Sequence, residues 1–316
     1  MGATVLGSFK KISVIIPTLN RAQSLTALLD SLELAEQPEG VAIEIVVVDN
    51  GSNDHTAQML EDRVAHVERY PLRVLQQPRP GKANALNLAL AECDGDLVMV
   101  FDDDVTVDSR CLVELAAAYQ DCQFAAVQGR ILPGKGPDGG GADVTRLSEY
   151  NIPLIDYGDA IHEIRGLTGT NMSFRRVVVT TIGSFDARLG PGAAGFSEDT
   201  EFSIRIRKAG FKIGYTPHAV AYHELDPKRY GRAYNREVAY RKGLSRSVYR
   251  NDSLAFKVMP NLVAHCLRFA VYRFLDRHQK AHKTEGRLFK CLGYLAGKLR
   301  RRSSAGRTSA ESSLHE

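Results

Sequence analysis

The sequence predicts an α/β protein: a mainly parallel sheet sandwiched between helices, followed by a basic α-helical extension. Three observations predict it. β-Branched runs at 11–16, 43–48 and 72–75 alternate with stretches whose leucines and alanines recur every three or four residues. That βαβαβα order covers both faces of a parallel sheet. A further apolar run, Leu97 to Phe101, is bounded by turn residues and ends in Asp102-Asp103-Asp104. It reads as a buried strand with acids at its carboxyl end, where open α/β sheets gather ligands. Finally, the net charge of +4 is unevenly spread: residues 1–225 hold 20 Lys and Arg against 30 Asp and Glu, and residues 226–316 hold 21 against 7.

In chain order, Lys11 to Ile16 is a strand stopped by Pro17, and Thr18-Leu19-Asn20-Arg21 is a loop. Leu25, Leu28, Leu29 and Leu32 then mark an amphipathic helix. Ile43 to Val48 is the next strand, and Asp49 to Asp54 is a loop that caps the following helix. After the strand at 72–75, Arg79-Pro80-Gly81-Lys82 opens a helix carrying Ala85, Leu86, Ala89 and Leu90. Beyond the acid triplet come a helix after Asp108-Ser109, a strand over 124–130, and a Gly- and Pro-rich stretch at 133–141 that reads as a mobile loop or a short linker within the domain. Residues 168–174 form a polar turn entering an apolar stretch. Ser197 caps a helix whose first turn holds Glu198, Asp199 and Glu201, and Gly210 ends it. Short strands over 213–222, with His223 just after, close a first domain at residue 225. Basic helices fill 226–302, and the Ser-rich 303–316 reads as a disordered tail.

Composition excludes several classes. The five cysteines (93, 111, 122, 266 and 291) are scattered, without a CxxC pair, so neither a disulfide framework nor a zinc site is expected, and a reducing cytoplasm is the default. The first residues lack an apolar signal core, and Leu6 stands where a myristoylation signal needs Ser or Thr. No run approaches 18 uninterrupted apolar residues, so no bilayer-spanning helix is expected. P-loop, strand-linked GxGxxG, HExxH and GxSxG signatures are all missing. What remains is a set of polar residues at successive strand ends: Pro17 to Arg21, Asp49, Lys82, Asp102 to Asp104, and Glu198-Asp199. The doublet Asp102 and Asp104 offers hard oxygen ligands suited to Mg²⁺ or Mn²⁺. Lys82, at a helix start, suits an anion.

These motifs resemble the inverting family 2 glycosyltransferases, which have the GT-A fold, a Rossmann-like nucleotide-diphospho-sugar transferase sandwich. They are VIIPTLNR at 14–21, VVDNGS at 47–52, GKANALN at 81–87, FDDD at 101–104, GTNMSFR at 169–175 and SED at 197–199, and together they cover about residues 11–225. The resemblance implies that Asp49 accepts a hydrogen bond from a uracil imide. Pro17, Thr18, Asn20 and Arg21 then belong to the donor pocket, Arg79 and Lys82 neutralise the diphosphate, and Asp102 and Asp103 face the ribose. It further implies that Asp104 and His223 hold Mn²⁺ or Mg²⁺, that Asp199 is the general base, and that Gly169, Thr170, Asn171 and Glu198 stand on the acceptor side. The expected donor is a nucleotide-sugar, UDP-linked in preference to GDP- or dTDP-linked, and the acceptor a glycan or lipid-linked precursor. The processive synthases of the family carry QxxRW and membrane-spanning helices, and this chain has no Trp. Addition of one sugar or a few is therefore expected. The basic residues 226–302 suit an anionic membrane surface and a peripheral, cytoplasmic-face location. No nucleic-acid motif accompanies the charge. The rival readings are a nucleotidyltransferase, which would begin with a Gly-rich signature where Pro17-Thr18-Leu19-Asn20-Arg21 stands, and a non-catalytic nucleotide-binding scaffold at a membrane surface.

Overall fold

A computed structural model of the protein describes residues 9–66, 69–120, 123–134 and 153–312, with side chains as far as Arg301. It divides into two compact units, the first Met1–Leu147, Ile152–Ala187 and Glu198–Pro227, the second Ser148–Asn151, Arg188–Ser197 and Lys228–Glu316.

The first unit opens as the periodicity predicts. β1 (Lys11–Thr18), α1 (Ala22–Leu34), β2 (Ala42–Asp49), α2 (Thr56–Ala65), β3 (Leu72–Gln76), α3 (Lys82–Glu92) and β4 (Leu97–Phe101) alternate, and β3-β2-β1-β4 pair in parallel. Alternate residues of each strand face opposite layers. Ile12, Val14 and Ile16 pack with α1 and α2, whereas Ile15, Val46, Val98 and Val100 pack with α3.

The other half of the sheet is mixed rather than parallel. β5 (Val105–Val107), α4 (Cys111–Ala117), β6 (Ala126–Pro133), β7 (His162–Ile164), β8 (Asn171–Arg175), α5 (Arg176–Ile182), α6 (Glu198–Lys208) and β9 (Ile213–His223) follow. The sheet order is β3-β2-β1-β4-β8-β6-β9-β5, with β7 also on β9. β8 is antiparallel to both β4 and β6, and β9 is antiparallel to β5 and β7. Two expectations are corrected here. β1 does not stop at Pro17 but runs through it; pairing with β4 ends at Ile15, so Pro17 sits where the strand has one neighbour, a position that tolerates a missing N–H. The short strands expected over 213–222 are one strand, β9, that includes His223. Its pairing with β6 shifts register after Gly129, which partners Thr216 while Arg130 partners Val220. β5 and β7 are three residues each, too short for a periodic signal. Of the loop expected at 133–141, residues 135–141 lie outside the described residues.

The second unit is helical: α7 (Arg232–Tyr249), a π-turn at Leu254–Val258 running into α8 (Met259–Phe274), and α9 (His278–Ser312), which passes Arg302. Segment 188–197 belongs to it, with Ser245 of α7 donating to Ala194 O (3.0 Å) and accepting from Phe196 N (3.1 Å). α7 and α9 approach closely along Gly243 and Ser247 on one side and Gly293 and Gly297 on the other. A Cβ on Gly293 would strike the Tyr240 carbonyl, and one on Gly297 the Ser247 side chain. The expectation that no helix can span a bilayer needs correction. Leu254–Phe274 is long and apolar enough by length and composition to do so, and only 6 % of its apolar window is buried. Counting uninterrupted apolar residues missed it, because Lys257 and Arg268 interrupt the run without changing its average character.

The seam between α7 and α9 supports a stability test. Gly293→Ala is expected to destabilise the chain by about 1–3 kcal/mol through overpacking. Gly286→Ala, whose Cβ would meet nothing closer than Ala239 Cβ at 4.0 Å, is expected to stabilise it by about 0.5–1 kcal/mol through helix propensity. Urea unfolding of the two variants measures both, and equal shifts would refute the close approach.

Candidate active site

The site is built where the strands of the first unit end. β1 ends at Thr18, β2 at Asp49 and β4 at Phe101, all at the same rim because the three are parallel. β8 runs the other way, and its first residue, Asn171, pairs with Phe101. The turn Gly169-Thr170 is thereby brought beside the acid triplet. β9 ends at His223 opposite Val105, and Glu224 N donates to Asp104 O at 2.9 Å.

Three clusters line this rim. In the first, Asp49 is buried, and its Oδ1 accepts from Ser52 N (2.9 Å), holding the loop that starts α2. Asn20, in the left-handed region at φ 55°, accepts from Asn53 N (2.7 Å), while its own N–H donates to Ser52 Oγ (2.9 Å). Asn50 holds the segment before Lys82: its amide donates to Gln77 O and Arg79 O, both at 2.8 Å, and its oxygen accepts from Gly81 N at 2.7 Å. Arg79 itself is exposed.

The second cluster centres on Lys82, the first residue of α3. Its ammonium pairs with Asp102 and lies 3.7 Å from Glu198 Oε1. Asp102 also accepts from Thr170 Oγ1 (3.1 Å), and Asp199 Oδ2 accepts from Gly169 N (3.3 Å). A side chain at 169 would crowd the Lys82 ammonium, with a Cβ 3.0 Å from Nζ, so glycine keeps this corner open. Burial opposes charge on Lys82, but Asp102 and Glu198 outweigh it and hold the ammonium above its usual range. Glu198 shows the reverse balance. Burial, aided by the Asp199 charge and opposed by Lys82, pushes its carboxyl up to about 7.

The third cluster surrounds Asp104. Its Oδ1 lies 3.4 Å from His223 Nε2 and its Oδ2 3.8 Å from the Arg21 guanidinium. Arg21 is also 3.9 Å from both Glu224 and Asp226. His223 Nδ1 is 2.7 Å from Glu224 O, a carbonyl that can only accept, so Nδ1 carries hydrogen. In the neutral ring, Nε2 therefore turns a lone pair toward the Asp104 carboxylate. That is how a metal-ligating histidine is oriented, through a backbone carbonyl on its other nitrogen. Asp103 lies between the clusters, accepting from Thr18 Oγ1 (2.8 Å) and Leu19 N (3.3 Å). Burial, then the neighbouring Asp104 charge, pushes it up to about 7. Among the described residues no set of three or more His, Cys, Asp or Glu forms a ready-made cage. Two protein ligands suit a cation that takes its remaining oxygens from phosphate and water.

Two expected positions sit differently. Asn171, expected on the acceptor side, is fully buried; its amide donates to Arg130 O (3.1 Å) and Ala219 O (3.0 Å) across the register shift of β6 and β9. Its side chain has no access to an acceptor. Arg21, expected at the nucleotide-sugar, stands among the acids of the third cluster. Two residues the motif reading passed over do structural work here. Asn50 ties the end of β2 to the segment that leads into α3. Gln128, buried in β6, accepts from Thr168 N (2.6 Å) and donates to Asn171 O (2.8 Å), fixing the turn that carries Gly169. An alternating strand gives no hint that one buried position is polar.

A sheet ending in a rim of acids around one half-buried lysine, between helices on both faces, is the arrangement of a glycosyltransferase of GT-A fold. Residues 13–183 match the Glycosyl transferase family 2 profile, and the chain belongs to that family. An N-acetylglucosaminyltransferase of Azorhizobium caulinodans is 28% identical over 260 residues, which cover 80% of this chain and 63% of that one. The probable glycosyltransferase YdaM of Bacillus subtilis is 25% identical over 246 residues, 74% of this chain and 55% of YdaM. The chain thus spans roughly three-fifths or less of the length of these relatives. Among solved structures, the mannosyltransferase PcManGT from Pyrobaculum calidifontis, in complex with GDP-Man and Mn²⁺, superposes with a TM-score of 0.56 at 20% identity, covering 98% of this chain and 81% of that one. GalNAc-T7 with UDP, GalNAc and Mn²⁺ gives 0.56 at 15% identity, covering 76% and 50%.

The raised Glu198 carboxyl has a stability consequence. Unfolding returns it to an ordinary value near 4.5, so between that value and about 7 the folded chain binds more protons than the unfolded chain. Its contribution is full below the unfolded value and is lost as pH rises through about 7. In metal-free buffer, Glu198→Gln is expected to remove this loss and to be on the order of 1–3 kcal/mol more stable than the native chain at pH 8, relative to pH 5. Urea unfolding at the two pH values tests it; parallel curves would refute the raised carboxyl.

Proposed function

We propose that this chain is a metal-dependent, inverting glycosyltransferase that moves a sugar from a nucleotide-diphospho-sugar, preferentially UDP-linked, to a hydroxyl of a glycan or lipid-linked acceptor. The observation that carries the reading is the convergence on one rim of Asp49, Lys82, the acid triplet and Asp199, in the family's order. Asp49, buried and held by Ser52, presents its remaining acceptor capacity to a base imide. Lys82 exchanges Asp102 and Glu198 for diphosphate oxygens, and Asp102 and Asp103 face the ribose. Asp104 and His223 hold Mn²⁺ or Mg²⁺, which when bound neutralises the charge of the departing diphosphate.

Asp199 is the general base. A sugar hydroxyl is a poor nucleophile near neutrality, and a carboxylate in hydrogen-bond reach takes its proton as the new glycosidic bond forms. The Gly169 N–H on Oδ2 keeps the Asp199 carboxylate oriented at the acceptor side. Glu198, beside it, is partly protonated near pH 7 and pairs with Lys82, which suits it to holding the acceptor. One displacement inverts the anomeric centre, and no covalent enzyme intermediate is needed. The chain acts at the cytoplasmic face of a membrane, with residues 226–302 on anionic lipid; the exposed apolar length of Leu254–Phe274 and the basic composition support this.

Two outcomes test the assignment. Asp199→Asn is expected to lower sugar transfer by roughly 10²–10⁴-fold while leaving nucleoside-diphosphate affinity unchanged. Near-normal transfer would refute the base and shift it to Glu198. EDTA is expected to abolish transfer, and Mn²⁺ or Mg²⁺ to restore it. Asp104→Asn is expected to weaken Mn²⁺ binding in titrations followed by the electron paramagnetic resonance of free Mn²⁺; undiminished binding would remove Asp104 from the metal site.

A further inference from the structure

The helical unit holds a cavity of about 250 Å³ between α8, α9 and the end of α7. Four of its lining side chains are cations, Arg246, Lys257, Arg287 and Lys290, against one carboxylate, Asp252. That carboxylate is already engaged: Oδ1 accepts from Lys257 Nζ at 2.6 Å and Oδ2 from Arg246 Nε at 2.8 Å. Among the described residues, no carboxylate lies within ion-pair distance of Arg287 or Lys290. His265, also lining the cavity, has a buried Nδ1 with no hydrogen-bond partner among the described residues. The chemistry left over is two cations and one ring nitrogen facing the same space. Desolvation, then the charges of Arg246 and Lys242, hold Lys290 below the usual lysine range; desolvation with Arg287 and Arg268 does the same to His265. Burial is the larger cause of both shifts, and the neighbouring cations add to it.

The second observation is the face of α8 and its preceding turn. Phe256, Val263, Leu267, Val271 and Phe274 recur at helical spacing and are between 51 and 90 % exposed. They form an uncharged stripe, flanked by Lys257 and Arg268, on the side away from half-buried Leu262, His265, Phe269 and Tyr272. A helix apolar on one side, packed on the other and basic between them suits the plane of a lipid interface.

We propose that this cavity binds the phosphomonoester headgroup of a membrane lipid, seated when the apolar face of α8 lies in the bilayer surface. The inference rests on the membrane location proposed above and adds a defined headgroup site to it. A phosphomonoester carries up to two charges and three terminal oxygens, which match the Arg287 and Lys290 cations and an Nδ1–H of His265. A phosphodiester offers one charge and two such oxygens.

The experiment is co-sedimentation of the full chain with vesicles of phosphatidylcholine alone, or mixed with phosphatidylserine or phosphatidic acid at matched surface potential. Phosphatidic acid is expected to bind at least about fivefold more tightly than phosphatidylserine. Arg287→Gln/Lys290→Gln is expected to erase that preference. The charge-matched control Arg277→Gln/Lys280→Gln should weaken both lipids alike and retain it, with far-UV circular dichroism confirming that each variant is folded. Equal binding of the two anionic lipids overturns the headgroup site and leaves the membrane reading standing; binding to neither overturns both. Thermal stabilisation by inorganic phosphate that requires Lys290, without preference for phosphatidic acid, makes the cavity a free-phosphate site and overturns the lipid assignment.

Discussion

The first unit depends on one constraint: too many carboxylates at one rim. Asp102, Asp103, Asp104, Glu198, Asp199, Glu224 and Asp226 crowd around two cations, Lys82 and Arg21. Burial, and after it the repulsion between neighbouring acids, raises the proton affinity of some of them, and Asp103 and Glu198 show it. The chain answers with local donors. Thr18 supports Asp103, Thr170 supports Asp102, and the Gly169 N–H supports Asp199. Thr18 ends β1, whereas Gly169 and Thr170 share the turn that enters β8, so two strands meet to supply these donors. The remaining surplus of negative charge is what a divalent cation and a cation-bearing substrate complex would relieve.

The mixed half of the sheet follows from that need. A purely parallel sheet places one strand-to-helix loop at each position of the rim. Reversing β8 places its entry turn there instead, so Gly169 and Thr170 lie beside Asp102 without an intervening helix. The register shift between β6 and β9 would leave carbonyls unpaired, and the buried Asn171 amide meets them on both strands. Gly129 is required at that point because Asn171 and Ala219 O occupy the space of a Cβ. A residue that reads as part of a binding motif is thus held for the backbone's sake.

Much of this was legible in the sequence, for physical reasons. Strand ends announce themselves where an apolar run stops at Asp49 or Asp102, and helix starts where Lys82 or Glu198 follows a turn. These positions are fixed by burial on one side and polarity on the other. What the pattern could not carry was pairing. The direction of β8, the three-residue strands β5 and β7, and the continuity of β9 through its shift depend on contacts distant in sequence. Nor could it tell which polar motif residue faces outward. Thr170 and Asn171 are adjacent and both buried, yet Thr170, in the turn, reaches Asp102 while Asn171, the first residue of β8, turns into the sheet. Pro17 failed as a stop signal because proline ends a strand only where both neighbours need its N–H.

The helical unit poses the opposite electrostatic problem and solves it less completely. Glu285 takes both Arg232 and Arg236, and Asp252 takes both Arg246 and Lys257. Each of these acids is largely buried and each joins two cations, so the pairs serve to set helix against helix as much as to neutralise charge. After residue 225 the 21 basic residues outnumber the 7 acidic ones threefold. A solvated surface can carry that excess at little cost. It does not account for four cations gathered around one open cavity, beside a helix that keeps its apolar face uncovered. Crowding of like charge works against stability, and exposure of an apolar stripe does the same. When one short stretch of chain bears both costs, the economical explanation is a single environment that relieves both, apolar at its centre and anionic at its edge.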